Sequence, residues 1–353
     1  MTYVSDIRHA DLARDKKLRV VTGLQRLRSA LRSEGAPPDR TVESGLIIAT
    51  WNIREFGKSK YGYRSDEPYY YIAEILSRFD LVAIQEVRSL YGLQRLTAIL
   101  GSDWDYLVTD VTFGTSGNSE RMAFIFDRRK VRFAGLAAEI VLAKPPNKEV
   151  LQLARTPYVA GFRAGWAQIN LCTVHIYYGK SVKDDPRRVE EICGLAKMLA
   201  DNAGQFRSGR APKNDDTIGA KGENLLLLGD FNIFNREDVT MEGLSSAGFV
   251  VPRGLEAIPG SNVKKDKHYD QIAYFKATTG LTPTGRAGVF DCFEHVYRMA
   301  DAGVYQAEVP PGKKYADWRT YQMSDHLPMW CEFQIDDMDA YLQSLQTEFQ
   351  QPP

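Results

Sequence analysis

Cysteine is scarce in this chain: Cys172, Cys193, Cys292 and Cys331 are the only four in 353 residues. They are scattered and form no C-x-x-C pair, so neither a zinc site nor a disulfide scaffold is indicated. Cys172 and Cys331 lie in apolar, strand-like runs, where a free cysteine behaves as a small hydrophobe. Such usage fits a reducing cytoplasm. Long apolar runs are missing too. No stretch is long and apolar enough to span a bilayer, and the opening MTYVSDIRHADLARDKK has no apolar core of a secretory signal. An excess of either charge is also absent. The 45 basic residues balance 45 acidic ones. No global field therefore draws the chain to nucleic acid or an anionic membrane, and any polyanion site must be a local patch. Repeats and low-complexity tracts are absent as well.

What is present is the composition of a globular protein, 44% hydrophobic and 25% charged, enough for a sizeable core. Length alone permits one large domain or two ordinary ones. Residues 5–33 read as a helix, with Leu12, Leu18, Val21, Leu24, Leu27 and Leu31 at three- and four-residue steps. Arg14, Lys16, Lys17, Arg19, Arg26, Arg28 and Arg32 make its other face basic, which is more often a solvated face than a nucleic-acid contact. EGAPPDR (34–40) is a Gly/Pro breaker and marks a boundary. Short apolar runs then alternate with helical patterns. GLIIATWNI (45–53), LVAIQEV (81–87), DYLVTDV (105–111), ERMAFIFD (120–127), 131–142, 158–170, LCTVHIYY (171–178), YDQIAYF (269–275) and SDHLPMWCEFQI (324–335) read as strands. Residues 68–79, about 90–100, 186–203 and 336–351 read as helices. This intermixing predicts a mixed sheet assembly flanked by helices, with two sheets packed on each other.

The central stretch is LLLLGDFNIFN (225–235). Its four leucines read as a strand buried on both faces. The strand ends in Gly229, and Asp230 and Asn232 follow two residues apart, so both leave an extended chain on one side. Alone, Gly, Asp and Asn there would read as a turn. The same ending recurs, however: Asn52, Glu86, His175, Asp270, and Asp325 with His326 each close an apolar run. Ligand sites gather at strand ends in layered α/β folds. Glu, Asp and Asn are hard oxygen donors suited to Mg²⁺ or Mn²⁺, and histidine carries protons near neutral pH.

These residues carry a resemblance. TWNIREFG, FDLVAIQEVRS, SERMAFIFDRRKV, RTPYVAGF, TVHI, LLLLGDFN, YDQIAYF and SDHLPM stand in the order and spacing of the endonuclease/exonuclease/phosphatase superfamily, and most resemble deoxyribonuclease I. The resemblance covers roughly residues 45–335. It implies a four-layer α/β/β/α sandwich over 41–335, between a basic helical extension (1–40) and a C-terminal helix and tail (336–353). It also implies roles. Asn52, Glu86 and Asp325 match metal-site residues. Asp230 and Asn232 match the pair that contacts phosphate and attacking water. His175 and His326 match the catalytic histidines, with Glu120 and Asp270 as the acids orienting them. Arg155 matches a basic residue near the phosphate. Arg54 and Arg88 match arginines placed in the DNA minor groove. The departures are Asn118 where a tyrosine packs on DNA, and the missing disulfide-closed loop before RTPYV.

The expected activity is divalent-metal-dependent phosphodiester hydrolysis, with DNA as the first substrate reading. Phosphoinositides, sphingomyelin and nucleotides are the alternative. A catalytically dead binding or scaffold module is a third reading, which the intact residue set opposes. Residues 1–40 or the loop 204–223 could provide restraint, substrate choice or a protein-partner surface.

Overall fold

The computed structural model describes residues 2–41, 43–57, 64–112, 119–142, 152–165, 167–203, 224–276, 281–336 and 338–350. Asn118 and the 204–223 loop lie outside the described residues. The first sheet is built on β1 (Gly45–Phe56), which runs parallel to β2 (Leu81–Val87) and antiparallel to β12 (Met329–Gln334). With β3 (Trp104–Val108), β4 (Arg121–Asp127) and β11 (Thr282–Val289) the order is β11-β12-β1-β2-β4-β3. In the second sheet β7 (Ala167–His175) runs parallel to β8 (Asn224–Asp230), and β10 (Asp270–Phe275) pairs antiparallel with β8. β5 (Arg132–Glu139), β6 (Tyr158–Ala164) and β9 (Phe249–Val250) complete the order β5-β6-β7-β8-β10-β9.

Strand periodicity sorts side chains into three cores. Leu46 and Ile48 of β1 and Leu226 and Leu228 of β8 fill the space between the sheets. Ile47, Ala49 and Trp51 face outward, where α1 (Arg14–Ala30), α2 (Asp66–Leu76) and α3 (Leu90–Leu100) cover the first sheet. Leu225 and Leu227 face α4 (Pro186–Asp201) and α5 (Val239–Ser246) over the second. The four leucines thus divide two and two between cores. The result is the four-layer α/β/β/α sandwich expected. Three further helices, α6 (Arg253–Glu256), α7 (Tyr315–Gln322) and α8 (Met338–Gln350), lie later in the chain.

The structure differs from the sequence reading at particular places. Residues 5–33 are not one helix: a 3-10 turn (Ser5–Arg8) precedes α1. Of the expected apolar stripe Leu24, Leu27 and Leu31 are buried, but Leu18 and Val21 are exposed and Val20 is buried in their place. The reason is electrostatic. Arg19 turns inward to Glu67 at 2.7 Å and Glu308 at 2.8 Å, and Arg28 reaches Glu74 at 2.9 Å. These ion pairs hold the helix down, Arg19 from a largely covered position and Arg28 from a partly exposed one. The strand read over 158–170 is two strands. The chain reverses at Gly165 (φ +55°), and β6 and β7 pair antiparallel. Both are buried, so hydrophobicity alone did not mark the turn. β9, β11 and α5–α7 had no clear sequence signal.

Candidate active site

Parallel neighbours bring their C-terminal ends together, and an antiparallel neighbour brings its start to the same edge. Asn52 lies where the regular pairing of β1 with the parallel β2 breaks, and Glu86 sits one residue before the end of β2. His175 and Asp230 end β7 and β8 as cross-strand partners, and Asp270 at the start of β10 pairs with Asp230. Glu120 immediately precedes β4, and Asp325 and His326 precede β12. One edge of the two sheets therefore collects residues separated by up to 274 positions in the chain.

The Asp230 carboxylate is the hub. Its Oδ2 accepts from Asn52 Nδ2 at 2.9 Å, and its Oδ1 accepts from the Asn232 backbone N–H at 2.9 Å. His175 Nε2 lies 3.4 Å from the same Oδ2, and His326 Nε2 lies 3.7 Å away. Each imidazole is backed by a second acid. His326 Nδ1 bonds Asp270 Oδ2 at 2.8 Å. His175 Nδ1 is 3.4 Å from Glu120 Oε2, a contact looser than a good hydrogen bond. Glu120 is in turn bonded to Arg155 through its other oxygen.

Charge states follow from these neighbours. Burial and Arg155 pull the His175 pKa down, but Glu120 and Asp230 raise it above the ordinary histidine value. Burial opposes protonation of His326 as well, yet Asp270 and Asp230 carry its pKa well above the usual value. Burial pushes the Glu120 carboxyl up, and His175 and Arg155 override it, holding the pKa at about 2. Both imidazoles are therefore set to hold protons on Nε2, facing Asp230.

Backbone strain marks the same edge. Glu55, Glu86 and Asn232 adopt φ of +50°, +60° and +53°, a left-handed region that costs non-glycine residues energy and gathers at functional sites. Gly229 has φ +137°, and a Cβ there would collide with the Val174 carbonyl of the neighbouring strand. Only glycine lets β8 lie that close to β7 just before Asp230.

The donor set fits a hard divalent cation. Asn52 Nδ2 also donates to Glu86 Oε1 at 3.2 Å, which leaves the buried Asn52 Oδ1 without a partner. Burial pushes the Glu86 carboxyl up, and Glu120 and Asp325 add to that against His175. A cation would relieve the crowding of carboxylates and satisfy the orphaned amide oxygen. Ligand atoms of Glu86, Glu120 and His175 come within 4.8 Å of one another, as do those of Asp230, Asp270 and His326.

Three arginines sit differently from the sequence expectation. Arg155 is buried and bonded to Glu120 and the Ile176 carbonyl, behind the first histidine pair. Arg88 is held by Glu55 at 3.0 Å. Arg54 bonds Thr320 Oγ1 and the Tyr321 hydroxyl, at 2.7 and 2.8 Å, and lies 3.5 Å from Asp325. Asn232 turns its side-chain amide to the Ile176 carbonyl at 2.8 Å.

Sequence reasoning missed several supports. Ser324 Oγ donates to the Asn52 carbonyl at 2.6 Å and accepts from the N–H groups of Arg54 and His326. It ties the SDH segment to β1, and its position beside Asp325 was the available signal. Ser261 Oγ accepts from the Asp270 N–H at 2.9 Å. Gln85 bridges the sheets, donating to Thr173 Oγ1 at 2.9 Å. Glu191 accepts from the N–H groups of Ala154 and Tyr177, both at 3.0 Å, and so fixes the segments carrying Arg155 and His175. Nothing in the local sequence distinguishes the last three.

Comparison with known proteins adds to this geometry. No family model matches the chain. An endonuclease/exonuclease/phosphatase from Bacteroides vulgatus superposes with a TM-score of 0.53 at 13% identity, over 83% of this chain and 100% of that one. The chain therefore shares the fold of an endonuclease/exonuclease/phosphatase protein. A second structure of this fold, D. rerio TDP2 complexed with single strand DNA product, gives a TM-score of 0.51 at 15% identity, over 82% and 99% of the two chains. In sequence, the chain is 29% identical over 298 residues to a deoxyribonuclease of Thioalkalivibrio sp. (strain K90mix), covering 82% of this chain and 71% of the relative. The motifs that suggested the superfamily and the endonuclease/exonuclease/phosphatase fold therefore agree.

Proposed function

We propose that the chain is a divalent-metal-dependent phosphodiester hydrolase that cleaves DNA as an endonuclease. The observation that carries this reading is the convergence of two acid-backed imidazoles on the Asp230 carboxylate, beside the Asn52–Glu86 oxygen donors. Phosphodiester hydrolysis needs an activated water, neutralised phosphoryl charge and a protonated leaving oxygen. Asp230 Oδ2 is placed to accept a proton from an attacking water. Its other oxygen is fixed by the Asn232 N–H, so the carboxylate is already oriented. His326 Nε2 and His175 Nε2 carry protons that can pass to phosphoryl or leaving oxygens. Asp270 and Glu120 hold those rings in orientation. Asn52 and Glu86, with Asp325 nearby, would hold Mg²⁺ or Mn²⁺. Such an ion supplies charge neutralisation at the phosphoryl oxygens and lowers the pKa of bound water.

DNA as substrate is supported by the deoxyribonuclease relative. One observation favours a second reading, a small phosphoester such as a phosphoinositide, sphingomyelin or a nucleotide: Arg54 and Arg88 are both bonded within the chain. The test is nicking of supercoiled plasmid with Mg²⁺ or Mn²⁺, wild type beside a His175→Ala, Asp230→Ala double variant. Nicking by the wild type alone is expected. Nicking by both overturns the assignment of His175 and Asp230, and nicking by neither, with both folded, removes the nuclease reading. In the second case, phosphoinositide and nucleotide substrates then decide the alternative.

A further inference from the structure

The chain carries no net charge, and Arg54 and Arg88 are bonded within it. A polyanionic substrate must therefore meet other cations near the site. Two loops beside His326 carry them. Residues 177–183, YYGKSVK, follow β7 and hold Lys180 and Lys183 with no acid. Residues 262–267, NVKKDK, precede β10 and hold Lys264, Lys265 and Lys267 beside Asp266.

Both loops are held in shape. The buried Arg188 of α4 donates to the carbonyls of Tyr178 at 2.6 Å, Lys183 at 3.0 Å and Val182. Its guanidinium lies 4.6 Å from the Phe234 ring centroid. In the second loop, the Asn262 side chain donates to Asp266 Oδ1 at 2.7 Å and accepts from the Asp266 and Lys267 N–H groups at 3.0 and 3.1 Å. The Val263 N–H donates to the Asp325 carbonyl at 3.0 Å, and Asn262 bridges to His326, so this loop is anchored on the site itself. The loops meet at Phe234. Lys267 Nζ lies 4.9 Å from that ring's centroid, and the Tyr178 and Tyr269 rings lie 6.1 and 5.6 Å from it. Tyr269 in turn lies 5.5 Å from the His326 ring. A row of rings thus joins the imidazole to both loops.

Nearby acids leave most of these lysines open. Lys265 is the exception, paired with Asp291 at 2.9 Å and Glu294 at 3.1 Å. Lys180 and Lys264 are exposed and form no ion pair among the described residues. Lys183 is 67% exposed with Asp184 at 3.8 Å, a surface pair that contributes little in water. Asp185 instead accepts from the N–H groups of Arg187 and Arg188.

We propose that Lys180, Lys183, Lys264 and Lys267 bind DNA backbone phosphates on either side of the scissile one. The inference rests on the phosphodiesterase reading above and names the cations that bring the polyanion to the site. Lysine meets phosphate as a point charge, and phosphate contacts position a duplex without reading its bases. Binding should therefore depend steeply on salt and little on sequence.

The experiment measures anisotropy of a labelled duplex oligonucleotide with the full chain in EDTA, over a range of salt. Each of Lys180→Ala, Lys183→Ala, Lys264→Ala and Lys267→Ala should lower the slope of log affinity against log salt by about 1. Between roughly 50 and 200 mM salt, the wild type should lose roughly a hundredfold more affinity than the fourfold variant. Lys267→Arg, which keeps the charge, should keep the slope. So should Lys197→Ala, which removes an exposed lysine near the C-terminal end of α4. A fourfold variant with the wild-type slope, or a Lys197→Ala variant that loses as much as the loop variants, overturns the proposal. Loss of binding only to phosphoinositide-containing vesicles overturns it in favour of a lipid surface. In turnover with Mg²⁺, the fourfold variant should raise KM for plasmid at least roughly tenfold more than for bis(p-nitrophenyl) phosphate, which has no flanking phosphates. Equal effects on both count against the loops. A wild type that hydrolyses neither substrate overturns the phosphodiesterase reading instead, and the salt slopes then judge the lysines separately.

Discussion

Single buried polar residues decide much of how this edge is held. Gln85 is fully buried and donates to Thr173 Oγ1 at 2.9 Å and Thr50 Oγ1 at 3.1 Å, a polar bridge between the sheets. Gln85→Leu leaves the buried Thr173 hydroxyl without this partner. We expect a loss of about 1–3 kcal/mol in urea unfolding, the cost of an unsatisfied buried group. An unchanged midpoint would mean that the threonines find other partners. Away from the site, Asp127 is wholly buried and bonded to Arg129 and Arg40. Burial pushes its carboxyl up, but the two arginines hold the pKa at about 2, below the ordinary 3.8. The folded pKa lies below the unfolded one, so this stabilisation is present above about pH 4 and is lost as pH falls toward 2. Asp127→Asn should cost on the order of 2 kcal/mol at pH 7, less whatever solvent screening at the exposed Arg129 removes. The difference between variant and wild type should shrink between pH 4 and 2. A pH-independent difference in chemical denaturation would contradict the linkage.

At the scale of elements, α1 is fastened by its basic face. Arg19 bonds Glu67, which also accepts from the Tyr71 and Tyr305 hydroxyls at 2.9 and 2.6 Å. Tyr305 packs on Trp318 of α7, and α7 carries the groups that bond Arg54. Removing Arg19 leaves Glu67 buried without its cation. Such a break typically costs 3–5 kcal/mol. The remaining hydroxyl donors reduce that, so Arg19→Ala should destabilise by roughly 3 kcal/mol and expose α1 to limited proteolysis. Resistance equal to wild type would show that the buried Val20, Leu24 and Leu27 suffice. This element also shows why part of the fold was hard to read. The inward turn of Arg19 depends on Glu67 and Glu308, which are 48 and 289 residues away. A helical period cannot say which face carries buried ion pairs. The β6–β7 hairpin was unreadable for a different reason. Its two strands are apolar on both sides of a tight reversal, so the pattern continues across the turn.

For the whole molecule, the oxygen-rich edge predicts metal-linked stability. Mg²⁺ at 100 times its dissociation constant should add about 2.7 kcal/mol to unfolding. Melting should therefore shift upward on adding Mg²⁺ and return on adding EDTA, and Glu86→Ala should abolish the shift. A wild type that ignores Mg²⁺ and Mn²⁺ alike would place the ion elsewhere or nowhere. Much of this molecule was legible before any coordinates. The alternation in GLIIATWNI and the run LLLLGD specify buried strands because side chains repeat every two residues. The polar groups closing those runs point to where chemistry sits, because ligand sites gather at strand ends in layered α/β folds. What sequence could not determine was partnership. Whether Arg155 faces a phosphate or Glu120, whether Arg54 is free or laid on Tyr321, and that Gln85, Ser261 and Ser324 hold the site are all questions of through-space distance. Such contacts form between segments tens to hundreds of residues apart. The order of strands in two sheets, which no local pattern encodes, brings them together.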